Sequence, residues 1–394
     1  MELHARKMTN PFRPGNGIEP KYLAGRDDII NSFDAYLRSY EDGLPRNVTI
    51  SGLRGTGKTV LLRYFKVLSE SRKWVTVERE FNERFQDESE FAEAFIQDLI
   101  SKATEVSLLK RVKETGKRVA EVLKPQELQI YGVTYKPFYR TRKQLLEDYL
   151  KEMLVKNWSV FEKSDRKGIV FLYDEFHTVR DRKERKSFPL ASLLGAISYA
   201  QRNGCRYLLC LSGLPIMRMH LKDAKTYTER MFESKEVGNL SQNEGKAAIT
   251  NTLKDSDYEF DSDLVERIVD ETRGYPYFIQ FYGYFTIEHA NKSKIRLQDF
   301  EGIRQKLIKE LDLSFFEGRY NSASEKEKKI LRAMARSDSR GDIEIKEIMR
   351  NCKFEYDTLK EMMRRLTEKG LIFRTERAKY SFTIPLFRDY LLRQ

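Results

Sequence analysis

Histidine and cysteine are scarce, four and three in 394 residues. Cys205, Cys210 and Cys352 lack metal-type spacing and are too few for a disulfide framework, so they read as buried, reduced thiols. His4, His177, His220 and His289 are scattered, and no pair sits at metal-ligand spacing. No apolar run approaches the ~18 residues of a membrane span; "GIVFLY" and "YLLCL" are strand-sized. The opening "MELHARKMTNPF" has no apolar core after its charges, so no secretory signal is expected. Internal repeats and low-complexity linkers are absent as well. These absences predict a cytoplasmic chain with no membrane partner, and 40% hydrophobic and 12% aromatic residues suffice for a globular fold. What the chain has in excess is positive charge, a formal +12. Such a balance favours polyanions such as nucleic acid, although a solvated surface with surplus lysine also accounts for it.

The length allows two or three domains. A Pro- and Gly-rich start, "NPFRPGNGIEPKYLAGRDD", reads as an extended arm. Behind it Ile29, Ile30, Phe33 and Leu37 share one helical face. "NVTISG" is strand-like and enters a glycine loop, and "KTVLLRYFKVLSES" leaves it with helical spacing. Further strand-like runs are "KWVTVERE", "GIVFLYDE", "YLLCLSG" and "SKEVGNL", and continuous apolar runs separated by helices suggest a buried parallel sheet. A long basic and mostly helical stretch, about 87–167, reads as an insertion in which "KPQELQIYGVTYKPF" alternates like a hairpin. From Leu240 the pattern becomes all-helical, opened by a capping box of Ser241 and Glu244, with a second helix stopped by Gly274. The last part starts with another capping box, Ser324 and Glu327; three helices and the alternating "LIFRTERAKYSFTIP" have the order of a winged helix-turn-helix. The expected domains are thus a core over 1–237, a helical lid over 238–317 and a winged helix over 318–394.

The segment from Gly52 through Arg54, Gly55, Thr56, Gly57 and Lys58 to Thr59 fits G-x-x-x-x-G-K-[ST] in full, with Val60 behind it. Phosphate binding needs glycines because backbone N–H groups must turn toward the anion unobstructed, and the following helix adds its N-terminal partial charge. In that pattern Lys58 reaches the β/γ-phosphates and the Thr59 hydroxyl holds Mg²⁺. The strand ending in Asp174-Glu175 supplies the partner motif, Asp174 for Mg²⁺ and Glu175 to polarise an attacking water. Two acids at a strand end also serve as a helix N-cap; the full glycine loop favours the functional reading, and the second acid argues for hydrolysis rather than binding alone. His177 follows them as a candidate neighbour of the nucleotide.

With "YLAGRDD", "GLRGTGKT", "LYDE", "LSGLP", "TERMFE" and "GYP", the chain resembles the AAA+ ATPases, and within them the Orc/Cdc6-like and STAND branches, over most of residues 20–290. The resemblance implies an α/β fold: a P-loop NTPase core with a parallel five-stranded sheet, a helical lid and a C-terminal winged helix-turn-helix. It implies that Tyr22, Leu23 and Arg26 border the adenine and that Ser212 is a sensor touching the γ-phosphate or lytic water. It further implies that Pro276 of "GYP" packs near the adenine, and that Arg230 reaches a γ-phosphate, often a neighbouring subunit's. A surface ion pair with Glu229 or Glu233 is the other reading of Arg230, and a helix-starting proline the other reading of Pro276. Two features depart from the pattern. No arginine is clearly placed as a second sensor, Arg273 being adjacent but before the glycine, and Lys58 and Asp174 stand 116 positions apart.

In the C-terminal unit Leu359, Met362, Met363 and Leu366 form the apolar face of the expected recognition helix. Lys360, Arg364 and Lys369 project elsewhere, and the wing adds Arg374, Arg377 and Lys379, candidate contacts to double-stranded DNA. A protein-docking winged helix is the alternative. The expected function is an ATP- and Mg²⁺-dependent, slowly hydrolysing switch coupled to DNA binding or assembly on DNA, with a homo-oligomer or a separately encoded protein as further partner. The alternative is a STAND-like signalling ATPase.

Overall fold

The computed structural model describes residues 9–40, 42–115, 129–130, 133–134, 145–290, 292–337, 341–376 and 378–394. They form two compact units. The first comprises Arg26–Gly52 and Lys58–Val237; the second comprises the described residues up to Gly25, Leu53–Gly57 and Gly238–Gln394.

The first unit contains β1 (Asn47–Ser51), β2 (Val75–Glu80), the two-residue strands β3 (Gln129–Ile130) and β4 (Val133–Thr134), β5 (Ile169–Asp174), β6 (Tyr207–Gly213) and β7 (Phe232–Glu236). Its helices are α1 (Asp27–Ser39), α2 (Lys58–Ser71), α3 (Glu88–Thr115), α4 (Leu146–Glu162), α5 (Pro189–Arg202), α6 (Ile216–Ala224) and α7 (Thr228–Met231). The sheet has five strands in the order β2-β5-β6-β1-β7, and every neighbouring pair is parallel. Alternation along β5 explains the two covered faces. Val170 and Leu172 point to the side where Phe33 and Leu37 of α1 meet Leu61 and Phe65 of α2. Ile169, Phe171 and Tyr173 point to the other, against Phe91 and Phe95 of α3, Leu150 of α4 and Leu193 of α5.

That second face revises the expected insertion over 87–167. Phe91, Phe95 and Leu99 recur every four residues and are fully buried, as are Leu150 and Leu154, so α3 and α4 belong to the core. Of the expected hairpin, Gln129–Ile130 and Val133–Thr134 pair antiparallel; its remaining residues lie outside the described ones.

The second unit holds β8 (Glu259–Phe260) paired with β9 (Lys294–Ile295), and β10 (Ile343–Glu344), β11 (Ile372–Glu376) and β12 (Lys379–Phe382) in a three-stranded antiparallel sheet ordered β10-β12-β11. Its helices are α8 (Gln242–Leu253), α9 (Ser262–Thr272), α10 (Pro276–Ala290), α11 (Leu297–Leu311), a π-helical stretch (Asp312–Glu317), α12 (Gly318–Asn321), α13 (Glu325–Ala335), α14 (Ile345–Cys352), α15 (Tyr356–Glu368) and α16 (Phe387–Arg393). Both capping boxes form. The expected lid boundary at 317/318 lies within one continuous core. There Phe316 sits 5.9 Å from Phe278, 5.8 Å from Phe387 and 5.4 Å from Tyr390. Sequence reasoning overlooked α16, whose Asp389 binds Arg273 (2.9 Å) and whose Arg393 binds Asp312.

The N-terminal arm is part of this core rather than a free extension. Phe12 is buried against α10, where only the missing side chain of Gly283 leaves room for its ring. Asn10 donates to the Tyr284 carbonyl (3.0 Å), and the Arg13 N–H to Gln280 (3.0 Å). Phe12→Ala should therefore cost the second unit about 3–5 kcal/mol, as removal of a buried aromatic does. Urea unfolding measures it, and an unchanged midpoint contradicts the pinned arm.

Candidate active site

Because β1, β5 and β6 run parallel and β6 lies between the other two, their carboxyl ends share one edge of the sheet. In open parallel sheets that edge is where ligands bind. From it the chain leaves Ser51, turns through the glycine loop and begins α2 at Lys58. Gly55 (φ 76°) and Gly57 (φ 93°) adopt backbone that other residues rarely do, as a phosphate loop requires.

At the edge Asp174 is nearly buried and accepts three hydrogen bonds. Its Oδ2 takes the Thr59 hydroxyl at 2.6 Å; its Oδ1 takes the Ser212 hydroxyl at 2.8 Å and the Glu175 N–H at 2.8 Å. Residues from α2, β5 and β6 thus converge on one carboxylate. Glu175 stands in the left-handed region (φ 49°), a conformation that costs of order 1–3 kcal/mol outside glycine and clusters at functional sites. Its carbonyl accepts from the N–H (3.0 Å) and hydroxyl (2.9 Å) of Thr178, which starts the 3₁₀ turn Phe176–Thr178. His177 Nδ1 lies 3.7 Å from the Glu175 carboxylate. The Thr59 hydroxyl and Asp174 carboxylate are hard oxygen donors side by side, a pair that fits Mg²⁺. Among the described residues no group of three or more His, Cys, Asp and Glu could hold a metal ion on its own.

The other expected site residues divide. Lys58 and Val60 are buried in the first turn of α2, and Ser212 is fully buried. Arg26 is buried at the start of α1, where its carbonyl accepts from the N–H groups of Ile29 (3.1 Å) and Ile30 (3.0 Å). In the second unit Tyr22 is exposed, Leu23 half-buried, and Pro276 is the first residue of α10. Arg230 is exposed at the end of α7, and both acids offered as its surface partners are engaged elsewhere. Glu229 pairs with Lys222 (3.0 Å) and Glu233 with Arg46 (2.6 Å).

Sequence reasoning missed Tyr275. Within the second unit its hydroxyl donates to the Arg54 carbonyl, and a Cβ on Gly55 would collide with it. Burial raises its pKa, so the hydroxyl keeps its proton and remains a donor. Arg319, whose guanidinium covers the Phe315 ring at 4.0 Å, was missed too. Burial lowers its pKa, with the Tyr275 hydroxyl opposing and the Arg54 guanidinium adding to the effect. The middle position of "GYP" is the signal that could have exposed Tyr275; Arg319 had none. The cysteines are buried as expected, and burial pushes the Cys205 thiol up to about 11 and Cys210 higher still.

The DNA candidates are largely engaged in local pairs. Arg364 pairs with Glu361 (2.8 Å) and Glu368 (2.5 Å), and Lys379 with Glu376 (2.9 Å). Lys369 is anchored to Glu327 (2.6 Å) and the Ser322 carbonyl (2.8 Å). Arg374 donates to the Glu376 carbonyl (3.0 Å). Acids close by in sequence thus neutralise Arg364 and Lys379, whereas Lys369 pairs with an acid of α13 and Arg374 with a backbone carbonyl. Lys360 is exposed, and Arg377 lies outside the described residues.

Residues 22–196 match the family described as AAA ATPase domain. This part of the chain is similar to AAA ATPase domains. The match spans the glycine loop and Asp174-Glu175 and ends before Ser212 and Arg230. Nucleoside triphosphate hydrolysis is the chemistry of such domains. Residues 313–391 match a second family, described as a domain of unknown function (DUF8462). Comparison with curated proteins finds no match. Among solved structures, the Walker-type ATPase of Pyrococcus abyssi is similar at 15% identity and TM-score 0.59, covering 97% of this chain and 99% of that one. The ORC2 protein of Aeropyrum pernix in its ADPNP–ADP complexes is similar at 14% identity and TM-score 0.50, covering 97% and 96%. At these identities the likeness establishes the fold, an α/β P-loop ATPase core with a five-stranded parallel sheet. No helix among the described residues is long and apolar enough to cross a membrane.

Removing one donor from the buried Asp174 carboxylate should be costly. Ser212→Ala is expected to lower unfolding free energy by about 1.5–3 kcal/mol, the usual worth of a hydrogen bond to a charged group. Urea titration checks it, and a loss within error would mean that Asp174 does not depend on Ser212.

Proposed function

We propose that the chain is an ATP-dependent switch that binds ATP with Mg²⁺, hydrolyses it slowly to ADP and phosphate, and couples the nucleotide state to DNA binding or assembly on DNA. The observation that carries this reading is the Asp174 carboxylate held between Thr59 and Ser212, with Glu175 beside it. In this reading the N–H groups around Gly55 and Gly57 cradle the phosphates and Lys58 reaches the β/γ-phosphates. Thr59 and Asp174 would hold Mg²⁺, which when bound offsets negative charge on the phosphate oxygens. Glu175 accepts a proton from the attacking water, and Ser212 orients it. Arg230, exposed and free of Glu229 and Glu233, suits a γ-phosphate in a neighbouring copy. A chain whose arginine arrives from outside is slow alone, since such arginines are worth ~10³–10⁵ in rate. Tyr22, Leu23, Arg26 and Pro276 remain the candidates for the adenine.

Antiparallel strands β11 and β12 after three helices support a winged helix at the C-terminus, which shares one core with the helices before it. Its mutually paired charges favour the second reading for that part, docking of a protein partner as in a STAND-like switch. DNA coupling is supported by the net charge, which is concentrated elsewhere. Residues 107–144 alone hold ten lysines and arginines against three glutamates.

Lys58→Ala should weaken ATP binding about a hundredfold, near 2.7 kcal/mol. Glu175→Gln should keep binding while turnover falls on the order of 10²–10⁴. Fluorescent-nucleotide titration and phosphate release measure the two, and full turnover by Glu175→Gln removes the assigned base.

A further inference from the structure

One strongly basic feature of the first unit plays no part in the site described above. Between β5 and α5 the chain makes a turn over residues 179–188, "VRDRKERKSF". Arg182 and Ser187 close it, each N–H donating to the other's carbonyl (2.8 and 3.1 Å) around the 3₁₀ turn Lys183–Arg185. Gln86, itself buried, clamps the turn from below. It donates to the Thr178 carbonyl (2.7 Å), accepts from the Arg182 guanidinium, and its own carbonyl accepts from the Ser187 hydroxyl (2.7 Å). Asp181 turns inward and accepts from the first N–H groups of α5, Leu190 (2.9 Å) and Ala191 (3.3 Å). The Phe188 N–H donates to Glu88 (2.8 Å).

This clamping spends the inward-facing polar groups and leaves Arg180, Lys183, Arg185 and Lys186 exposed on a fixed frame. None of the four makes an ion pair or side-chain hydrogen bond among the described residues, in contrast to the cations of α15 and the wing. Glu184 is the one exposed acid within the turn.

We infer that the turn Arg180–Lys186 is a contact surface for the sugar–phosphate backbone of duplex DNA, independent of base sequence. Four unneutralised cations repel one another, and the phosphates of a polyanion neutralise them while its condensed counterions are released into solution. A protein partner would call for a desolvated apolar anchor. The tip offers none, and Phe188, the large apolar side chain at its base, is only 36% exposed. The turn grows directly out of the Phe176–Thr178 segment that follows Glu175, so a load on it bears on the catalytic end of β5.

The inference rests on the DNA-coupled reading, and the experiment separates the two. The full-length protein and two variants are titrated against a labelled duplex of arbitrary sequence over a range of salt. The first variant is Lys183→Gln/Arg185→Gln/Lys186→Asn, with asparagine where Lys186 has φ 50° because it tolerates the left-handed region. The second is Arg364→Ala/Arg374→Ala. The turn variant should bind at least about tenfold more weakly, with the slope of log affinity against log salt shallower by about 2–3, and with unchanged melting and DNA-free ATP turnover. Unchanged affinity and slope in that variant, with binding lost in the other, overturns the turn assignment and leaves the DNA reading standing. Failure of the unaltered protein to bind duplex at low salt overturns both. Binding to phosphatidylserine vesicles but not to duplex also overturns the assignment.

Discussion

The first unit depends on one buried carboxylate. Asp174 is buried, and a buried carboxylate left without hydrogen bonds would be costly. Three donors from three elements meet that demand: the Thr59 hydroxyl at the head of α2, the Ser212 hydroxyl at the end of β6, and the Glu175 N–H. The same bonds therefore align the glycine loop's helix with the strand ends. One of them also ties down the N–H of Glu175, which stands in the left-handed region.

In the second unit the corresponding constraint is aromatic. Phe278, Phe315, Phe316, Phe387 and Tyr390 stack or meet edge to face across helices distant in sequence. Tyr275 stands at one end of this group, 4.7 Å from Phe278, with its hydroxyl on the Arg54 carbonyl. Ring packing thus fixes a polar contact to the loop residues grouped with this unit. The π-helical stretch Asp312–Glu317 is what presents Phe315 and Phe316 to different neighbours. Such bulges often occur at functional positions.

Charge is distributed by pairing as much as by count. On α15 arginines and glutamates stand three and four residues apart, the spacing at which they meet on a helix, so that basic surface neutralises itself. The turn after β5 carries five cations against two acids and spends its inward acid, Asp181, capping α5. Arg180, Lys183, Arg185 and Lys186 stay exposed. A basic sequence becomes a basic surface only where the acids are occupied elsewhere.

The phosphate loop, the acidic strand end, the order of strands and helices and the capping boxes were legible in the sequence, because each follows from spacing over a few residues. The buried parallel sheet followed from continuous apolar runs. The strand order β2-β5-β6-β1-β7 came only from the fold, and with it the meeting of residues 59, 174 and 212 on one carboxylate. The same is true of the core role of α3 and α4, the burial of Phe12 in the space left by Gly283, and the hold of Tyr275 on the loop. The physical reason is range. Periodicity and turn chemistry act between near neighbours, whereas each of these features is a bond or contact between groups tens to hundreds of positions apart, made only when the chain closes on itself.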